Sequence, residues 1–170
     1  MGARVFNSHV YQVSAETYWR ETMLNIPFLT RLYTEQLGLR SIALVEQHGD
    51  YERGIQRVLR MFKPIAAPGP VKKVLGDVMT IDEHSTFDPG TQTWTYRMAF
   101  SRLADRLFVR GSISLKPCER GVEETSDDEL DFKMFGVSGL VESFMVRETK
   151  QSHLDRTMFT QRYIQEHQLK

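Results

Sequence analysis

The feature that most constrains the fold is the last fifth of the sequence. From Phe135 to Gln168 the chain reads FGVSGLVESFMVRETKQSHLDRTMFTQRYIQEHQ, with no proline. This stretch predicts one long helix of about nine turns at 3.6 residues per turn. At 100° per residue, apolar side chains share one face near both ends of the helix: Val137, Leu140, Val141, Phe144, Met145, Met158, Phe159 and Tyr163.

The middle of the same helix face is polar. It carries Glu148, Gln151, Ser152 and Asp155. A carboxylate in an apolar interior is costly unless it has a partner, so these side chains need water, a hydrogen-bond partner or a ligand. We therefore expect the helix to pack tightly at both ends and to bridge a hollow at its middle. The alternatives are a bent helix with an exposed middle, or pairing of the acids with Arg and Lys from the sheet.

The rest of the chain predicts strands and two short helices. RVFNSHVYQV (4–13) is rich in β-branched and aromatic residues, as strands are. Ser14 suits the N-cap of a helix over AETYWRETML, and Pro27 suits the first turn of a second helix that ends at Gly38. Six further strands are predicted over 40–47, 52–62, 78–87, 93–102, 107–117 and 122–134.

These strands follow one another mostly as hairpins, which favours an antiparallel sheet. The predicted class is α+β: a seven-stranded curved antiparallel sheet gripping a long C-terminal helix, with two short helices after strand 1. With 170 residues and no dividing linker, we expect one domain over 1–170. Segment 63–76 is predicted irregular. The acidic run EETSDDELD (123–131) is the weakest strand and predicts a solvated edge or open rim, with a cation site as the alternative.

The sheet offers a lining for the hollow. Trp94, Tyr96, Met98 and Phe100 alternate onto one strand face. Arg57 shares a face with apolar neighbours and is the predicted inward cation, meeting Glu148, Asp155 or an acidic group of a ligand. The alternative for the aromatic and methionine side chains is plain core packing.

Composition and motifs restrict the function. The chain has 22 Lys and Arg residues and 22 Asp and Glu residues. We therefore do not expect its overall charge to bind nucleic acid. The N-terminus lacks the apolar stretch of a signal peptide, and the expected location is cytoplasmic. No nucleophile elbow, HExxH pair or phosphate loop occurs, so we predict no cofactor, no metal and no catalytic residue.

The remaining candidate functional residues are the five histidines and the residues on a second face of the last helix. His9 and His84 lie in predicted strands and are candidates for the interior, whereas His48, His153 and His167 are expected in turns or at the surface. The helix also has a charged face, the expected solvated side and an alternative partner-binding surface: Arg147, Lys150, His153, Arg156 and Gln161.

The order of elements resembles the START-like superfamily, also called SRPBCC or helix-grip. The features that carry the resemblance are the opening strand leading into SAETYW, six further strands and the closing helix. PGPVKKVLGDV, SISLKP and LDFKMFGVSGLVE are most similar to a family of uncharacterised bacterial START-like proteins. The resemblance implies a sheet gripping the helix around a deep cavity. Members commonly bind lipids, sterols or polyketides, and some are cyclases, hydratases or cochaperones.

The leading hypothesis is binding, transport or sensing of a hydrophobic small molecule or lipid in that cavity. The alternatives are a cyclase- or hydratase-type enzyme that uses a cavity carboxylate, and a cochaperone-like partner-binding module. Segment 64–75 combines apolar residues with lysines and suggests either transient membrane contact or a permanently folded lid. The predicted ligand-binding residues are Arg57, Trp94, Tyr96, Met98, Phe100, Phe144, Met145, Glu148, Gln151, Ser152, Asp155 and Phe159.

Overall fold

The computed structural model describes residues 2–133 and 138–170. The strands form one antiparallel sheet in the order β1-β7-β6-β5-β4-β3-β2. They are β1 (Gly2–Tyr11), β2 (Ser41–Asp50), β3 (Gly54–Pro64), β4 (Val78–Asp88), β5 (Thr93–Phe100), β6 (Leu107–Cys118) and β7 (Gly121–Phe132).

Within the described part of the chain, four helices complete the fold. α1 (Ala15–Tyr18) continues as a π-helical segment over Trp19–Met23, and α2 (Ile26–Arg31) continues as another over Leu32–Gln36. They are followed by α3 (Gly69–Leu75) and α4 (Ser138–Glu166). The predicted class is therefore confirmed: a curved seven-stranded antiparallel sheet, short helices after strand 1 and a long C-terminal helix.

Local sequence chemistry explains where the short helices begin. The Ser14 hydroxyl accepts a hydrogen bond from the Thr17 N–H at 3.1 Å, as predicted for an N-cap. Asn25 caps α2 in the same way, accepting from the Phe28 N–H at 3.0 Å, with Pro27 in the first turn. Each cap satisfies a backbone donor that the helix itself leaves unpaired.

Alternation along the strands divides the interior into two apolar clusters. One lies under α1, α2 and the end of α4 and contains Trp19, Phe28 and Phe159. The other lies under α3 and the start of α4 and contains Phe100 and Phe144. Between them a polar row crosses the inner sheet face, formed by residues paired strand to strand: Arg57, Ser85, Tyr96, Gly111 and Asp128.

Three expectations about the elements need correction. Segment 63–76 is not irregular throughout, because α3 forms over Gly69–Leu75 and buries Val71 and Leu75. The long helix is shorter than 135–168, since α4 ends at Glu166, and Phe135 and Val137 lie outside the described residues. Leu140 and Met158 do not belong to its apolar face, because both side chains are exposed.

The acidic run is not a sheet edge. β7 lies between β1 and β6 along its length, so every second side chain faces the interior. Glu124, Ser126 and Asp128 are all buried. Asp is tolerated in this strand because polar side chains from the helices meet the buried carboxylates. Within residues 2–133 and 138–170, no group of three or more His, Cys, Asp or Glu is arranged to hold a metal ion.

Candidate functional site

A cavity of about 170 Å³ lies between the inner sheet face and the middle of α4. Its walls are mainly aliphatic, methionine and aromatic side chains, drawn from α2, the two π-helical segments, the strands and α4. They include Met23, Leu29, Leu32, Tyr33, Met61, Ile65, Met79, Ile81, Met98, Phe100, Val109, Phe144 and Met145. On the helix side, the cavity lies against the middle of α4.

An ion pair crosses one side of the cavity between β3 and α4. Lys63 Nζ lies 3.4 Å from Glu148 Oε2, and both side chains are partly exposed. A half-exposed pair of this kind contributes only about 0–1 kcal/mol to stability. The partly exposed neighbours Met145, Thr149 and Ser152 line the same side of the cavity. This side is the solvent-facing rim of the cavity.

One end of the cavity is lined by a chain of three residues joined by hydrogen bonds. Asp128 accepts a hydrogen bond from the Tyr96 hydroxyl through Oδ1, and its Oδ2 lies 2.6 Å from His153 Nε2. The His153 side chain is only 10% exposed and that of Asp128 only 6%. Burial, followed by the Asp128 charge, raises the pKa of Tyr96 well above its usual value. Tyr96 is therefore a neutral hydrogen-bond donor at physiological pH.

Gly111 makes this chain possible. It lies on β6 between Tyr96 and Asp128 in the sheet register. A Cβ at this position would stand 2.6 Å from the Tyr96 hydroxyl oxygen and closer still to Asp128 Oδ1. Only glycine leaves the space for Tyr96 to reach across β6 to the carboxylate.

Next to this chain, Arg156 forms a second buried contact with β7. Its guanidinium donates to Glu124 Oε1, while the Tyr18 hydroxyl donates to Glu124 Oε2. Burial alone would lower the pKa of Arg156, but Glu124 and the nearby tyrosines raise it above its ordinary value. Glu124 is fully buried, so this pair carries charge deep into the interior.

Glu83 and Arg57 are two further buried ionisable groups. Burial raises the pKa of Glu83, against the opposing effects of Arg57, Ser85 and Trp94. Arg57 donates from Nη1 to the Met23 carbonyl at 2.8 Å, and its guanidinium lies 4.3 Å from the centre of the Trp94 ring. Burial lowers the pKa of Arg57, with Glu83 acting in the opposite direction.

Of the twelve predicted ligand-binding residues, eight line the cavity and four do not. Those that line the cavity are Trp94, Tyr96, Met98, Phe100, Phe144, Met145, Glu148 and Ser152. Arg57 is buried beside the cavity but contacts Met23 and Trp94 rather than Glu148 or Asp155. Phe159 packs on Phe28 in the neighbouring cluster.

Gln151 and Asp155 do not belong to the cavity. Gln151 is exposed and donates to Asp155 Oδ1 at 3.1 Å, one turn along the helix. The reason is a rotation of about one residue in the helix face, which turns His153 and Arg156 inward in their place. The expectation that His153 and Arg156 lie on the solvated face is therefore wrong. His84, a candidate for the interior, faces the outer side of the sheet, and His9 is half-buried beside Gln161.

Sequence reasoning missed Glu83, Asp128, His153 and Arg156 as residues of the cavity. A signal existed for the first two, because strict alternation in VMTIDEHSTF and VEETSDDELDF puts each on the face of its buried neighbours. For His153 and Arg156 no local pattern distinguishes them from Lys150, because their partners lie about 25 to 32 residues away in β7.

A larger groove of about 650 Å³ lies on the outer face of the sheet. Charged and hydroxyl side chains line it, and two of its arginines are paired, Arg4 with Asp127 and Arg110 with Glu129. It is open to solvent, whereas ligand sites bury most of an apolar molecule. We therefore take the interior cavity as the candidate site.

The segment 64–75 is folded over the second apolar cluster. Ile65, Val71 and Leu75 are buried, and Lys72 and Lys73 point to solvent. This arrangement matches the lid interpretation, since the larger apolar side chains are already covered. Among the described residues, no helix has the length and apolar character needed to cross a membrane.

Comparison with known families gives one match, over residues 7–164, to a family described as a protein of unknown function, DUF2505. The chain belongs to this family. The match spans most of the chain, from the middle of β1 to the last turn of α4. No curated protein is similar to the chain in sequence.

Solved structures show the same fold. The Zhui aromatase/cyclase from Streptomyces sp. R1128 superposes with a TM-score of 0.70 at 11% identity, covering 97% of this chain and 94% of that one. A START superfamily protein from Mycobacterium smegmatis gives 0.61 at 11% identity, covering 96% and 97%. Ara h 8.0201 gives 0.62 at 13% identity, covering 94% and 98%. At these identities the likeness establishes a START-like, helix-grip fold for the DUF2505 chain.

Proposed function

We propose that this DUF2505 protein binds a hydrophobic small molecule or lipid in the cavity between the sheet and α4, as a carrier or sensor. The observation that carries the proposal is a cavity with apolar walls that ends on a row of buried polar groups. Such a site gains affinity from the walls and orientation from a few polar contacts. The START-like fold of the neighbours supports the same conclusion.

The walls suit a ligand of variable shape. Met23, Met61, Met79, Met98 and Met145 all line the cavity. Methionine is unbranched and polarisable, and it adapts to irregular surfaces more readily than branched side chains. Each methylene of a ligand that leaves water for such walls contributes about 0.8 kcal/mol. We accordingly propose as ligand-contacting residues the eight predicted residues that line the cavity, together with Asp128 and His153.

The first test is native mass spectrometry of freshly purified protein, followed by extraction and identification of any retained molecule. The proposal predicts an apolar molecule at near-stoichiometric level, or stoichiometric binding of the neutral solvatochromic dye Nile red. Absence of both would contradict it.

A matched pair of variants places the binding in the cavity. Thr149 lines the rim and is half-buried, whereas the adjacent Lys150 is exposed. Thr149→Trp should fill the cavity and weaken Nile red binding by about tenfold or more, since it removes apolar contact area worth several methylenes. Lys150→Trp should bind as the unmodified protein does. Equal loss in both variants, or in neither, would place the dye elsewhere.

A second candidate function is acid–base catalysis of the cyclase or hydratase type. The observation that favours it is the hydrogen-bonded chain of Tyr96, Asp128 and His153 at the cavity wall. The two candidate functions predict different molecules bound to the purified Asp128→Asn variant. An enzyme without its carboxylate should be purified with a substrate that differs in mass from the molecule in the unmodified protein. A carrier should retain the same molecule, at equal or lower occupancy.

Two narrower proposals concern the surroundings. We expect the protein to work in the cytoplasm. Any membrane contact through 64–75 would rest on Lys72 and Lys73, since these are the exposed charged side chains of the segment. Binding to vesicles containing phosphatidylserine, lost in a Lys72→Glu, Lys73→Glu variant, would support that contact.

A further inference from the structure

We infer that the cavity selects ligands whose polar group is uncharged, an alcohol, phenol or ketone, over ligands that carry a carboxylate or an ammonium group. This inference rests on the proposed function, since it assumes that the cavity binds a ligand. It follows from the charge balance and the unused hydrogen-bonding atoms at the polar end of the cavity.

The buried charges at that end balance one another. Two guanidinium groups, Arg57 and Arg156, stand against three carboxyl groups, Glu83, Glu124 and Asp128. One proton on Glu83, whose pKa burial raises, makes the cluster neutral. An ionic ligand head would add an unpaired charge to a buried, balanced cluster, and this is costly in a low-dielectric interior.

The charged groups at this end already have hydrogen-bond or ion-pair partners. A charged group of a ligand would therefore find few free contacts. Both oxygens of Asp128 and both oxygens of Glu124 already accept hydrogen bonds. Lys63 and Glu148, the charges at the rim, face each other at 3.4 Å. Asp128, Glu83 and Arg156 line the cavity together, so a carboxylate or an ammonium group there would face a like charge as well as an opposite one.

What remains unused suits a neutral oxygen. Two cavity-lining residues have a buried polar atom without a hydrogen-bond partner in the described chain: His153 Nδ1 and Arg156 Nε. Arg156 Nε is a donor, and His153 Nδ1 is an acceptor when the Nε2–H of the ring donates to Asp128. A hydroxyl group can donate and accept at once, and a ketone can accept, so either satisfies such atoms without adding charge.

The test uses a matched series on one rigid apolar body that suits a cavity of this size: naphthalene, 2-naphthol, 2-acetylnaphthalene, 2-naphthoate and 2-naphthylmethylammonium. Affinities are measured by calorimetric titration at pH 7 on the full chain. We expect 2-naphthol or 2-acetylnaphthalene to bind more tightly than naphthalene. We expect the two ionic compounds to bind about tenfold or more weakly than the better neutral one, since their charges must be desolvated.

The outcomes separate this inference from the proposed function. If either ionic compound binds as tightly as the neutral ones, or if polar groups give no gain over naphthalene, the head-group inference fails and cavity binding stands. If none of the five binds and Nile red also fails to bind, both fail.

The variant Glu83→Gln sharpens the test without adding charge. In this variant two guanidinium groups stand against two carboxylates, so the cluster is neutral without a proton on any carboxyl group. The order of affinities should therefore stay the same. If 2-naphthoate became the tightest ligand of this variant, the charge of Glu83 alone would explain the exclusion of acids, and the argument from a balanced cluster would be wrong.

Discussion

At the scale of single residues, the site depends on one absent side chain. Gly111 leaves room for Tyr96 to reach Asp128 across β6, and a methyl group there would overlap both partners. We expect Gly111→Ala to lower the free energy of unfolding by about 1–3 kcal/mol, the usual cost of overpacking an interior. Urea unfolding followed by circular dichroism measures the change.

The matched control is Gly139→Ala. Gly139 lies in the first turn of α4, is exposed and has open space where the methyl group of an alanine would lie. Alanine is the better helix former, so this variant should be as stable as the unmodified protein or slightly more stable. If Gly111→Ala were equally harmless, the hydrogen bond from Tyr96 to Asp128 would not depend on the glycine.

Glu83 predicts a pH dependence of known sign. Its pKa is raised in the folded protein, so the folded state holds the proton at pH values where unfolded Glu, with a pKa of about 4.3, has lost it. Stability from this group is therefore present at low pH and declines as pH rises through the folded pKa. Relative to the unmodified protein, Glu83→Gln should become more stable as pH rises from about 4 to 8.

Asp127→Asn is the control of opposite sign. Arg4 holds the pKa of Asp127 below its usual value, so its contribution is present above the unfolded pKa and disappears as pH falls. This variant should lose stability relative to the unmodified protein as pH rises from about 2 to 5. Parallel unfolding curves across pH measure both trends. A flat difference for Glu83→Gln would show that folding does not raise the pKa of Glu83.

At the scale of elements, α4 and β7 are joined by buried charge. Removing one member of a buried ion pair leaves the other unpaired, which typically costs about 3–5 kcal/mol. We expect a loss of this size for Arg156→Leu, because Glu124 stays behind in a fully buried position. Adding Glu124→Gln should recover part of the loss. Thermal and urea unfolding measure both variants.

The exposed pair between β6 and β7 provides the comparison. Arg110 and Glu129 lie 2.8 Å apart on the outer sheet face, with both side chains largely exposed. Arg110→Leu should change stability by about 0–1 kcal/mol, as surface pairs do. Similar losses for Arg110→Leu and Arg156→Leu would show that burial does not decide the strength of the α4–β7 contact.

The sequence predicts elements better than it predicts contacts between them. Periods of two and of 3.6 residues are local, so the strand faces of Trp94 to Phe100 and the start of the last helix could be predicted. The inward turn of His153 depends on Asp128, on another element, and no local pattern contains that information. The acidic strand β7 shows the same limit, because its low strand propensity is offset by partners from α1 and α4.

At the scale of the whole molecule, the cavity is a product of both apolar clusters and the polar row between them. The long helix packs on the sheet at both ends, through Phe144 and Phe159, and crosses the cavity at its middle. The residues at the two ends of the helix do not reveal the volume of the cavity at its middle. That volume is set by how the side chains of five strands and three helical segments pack together, and so could not be predicted from the sequence.

The most direct test of cavity binding is methionine methyl NMR during titration with 2-naphthol, whose rings shift nearby methyl resonances. Among the described residues, five methionines line the cavity, while Met158 is 68% exposed on the outer side of α4. The predicted result is saturable shifts at Met23, Met61, Met79, Met98 and Met145, with Met158 unchanged. Shifts confined to Met158, or no shift at any cavity methionine, would contradict a ligand site between the sheet and α4.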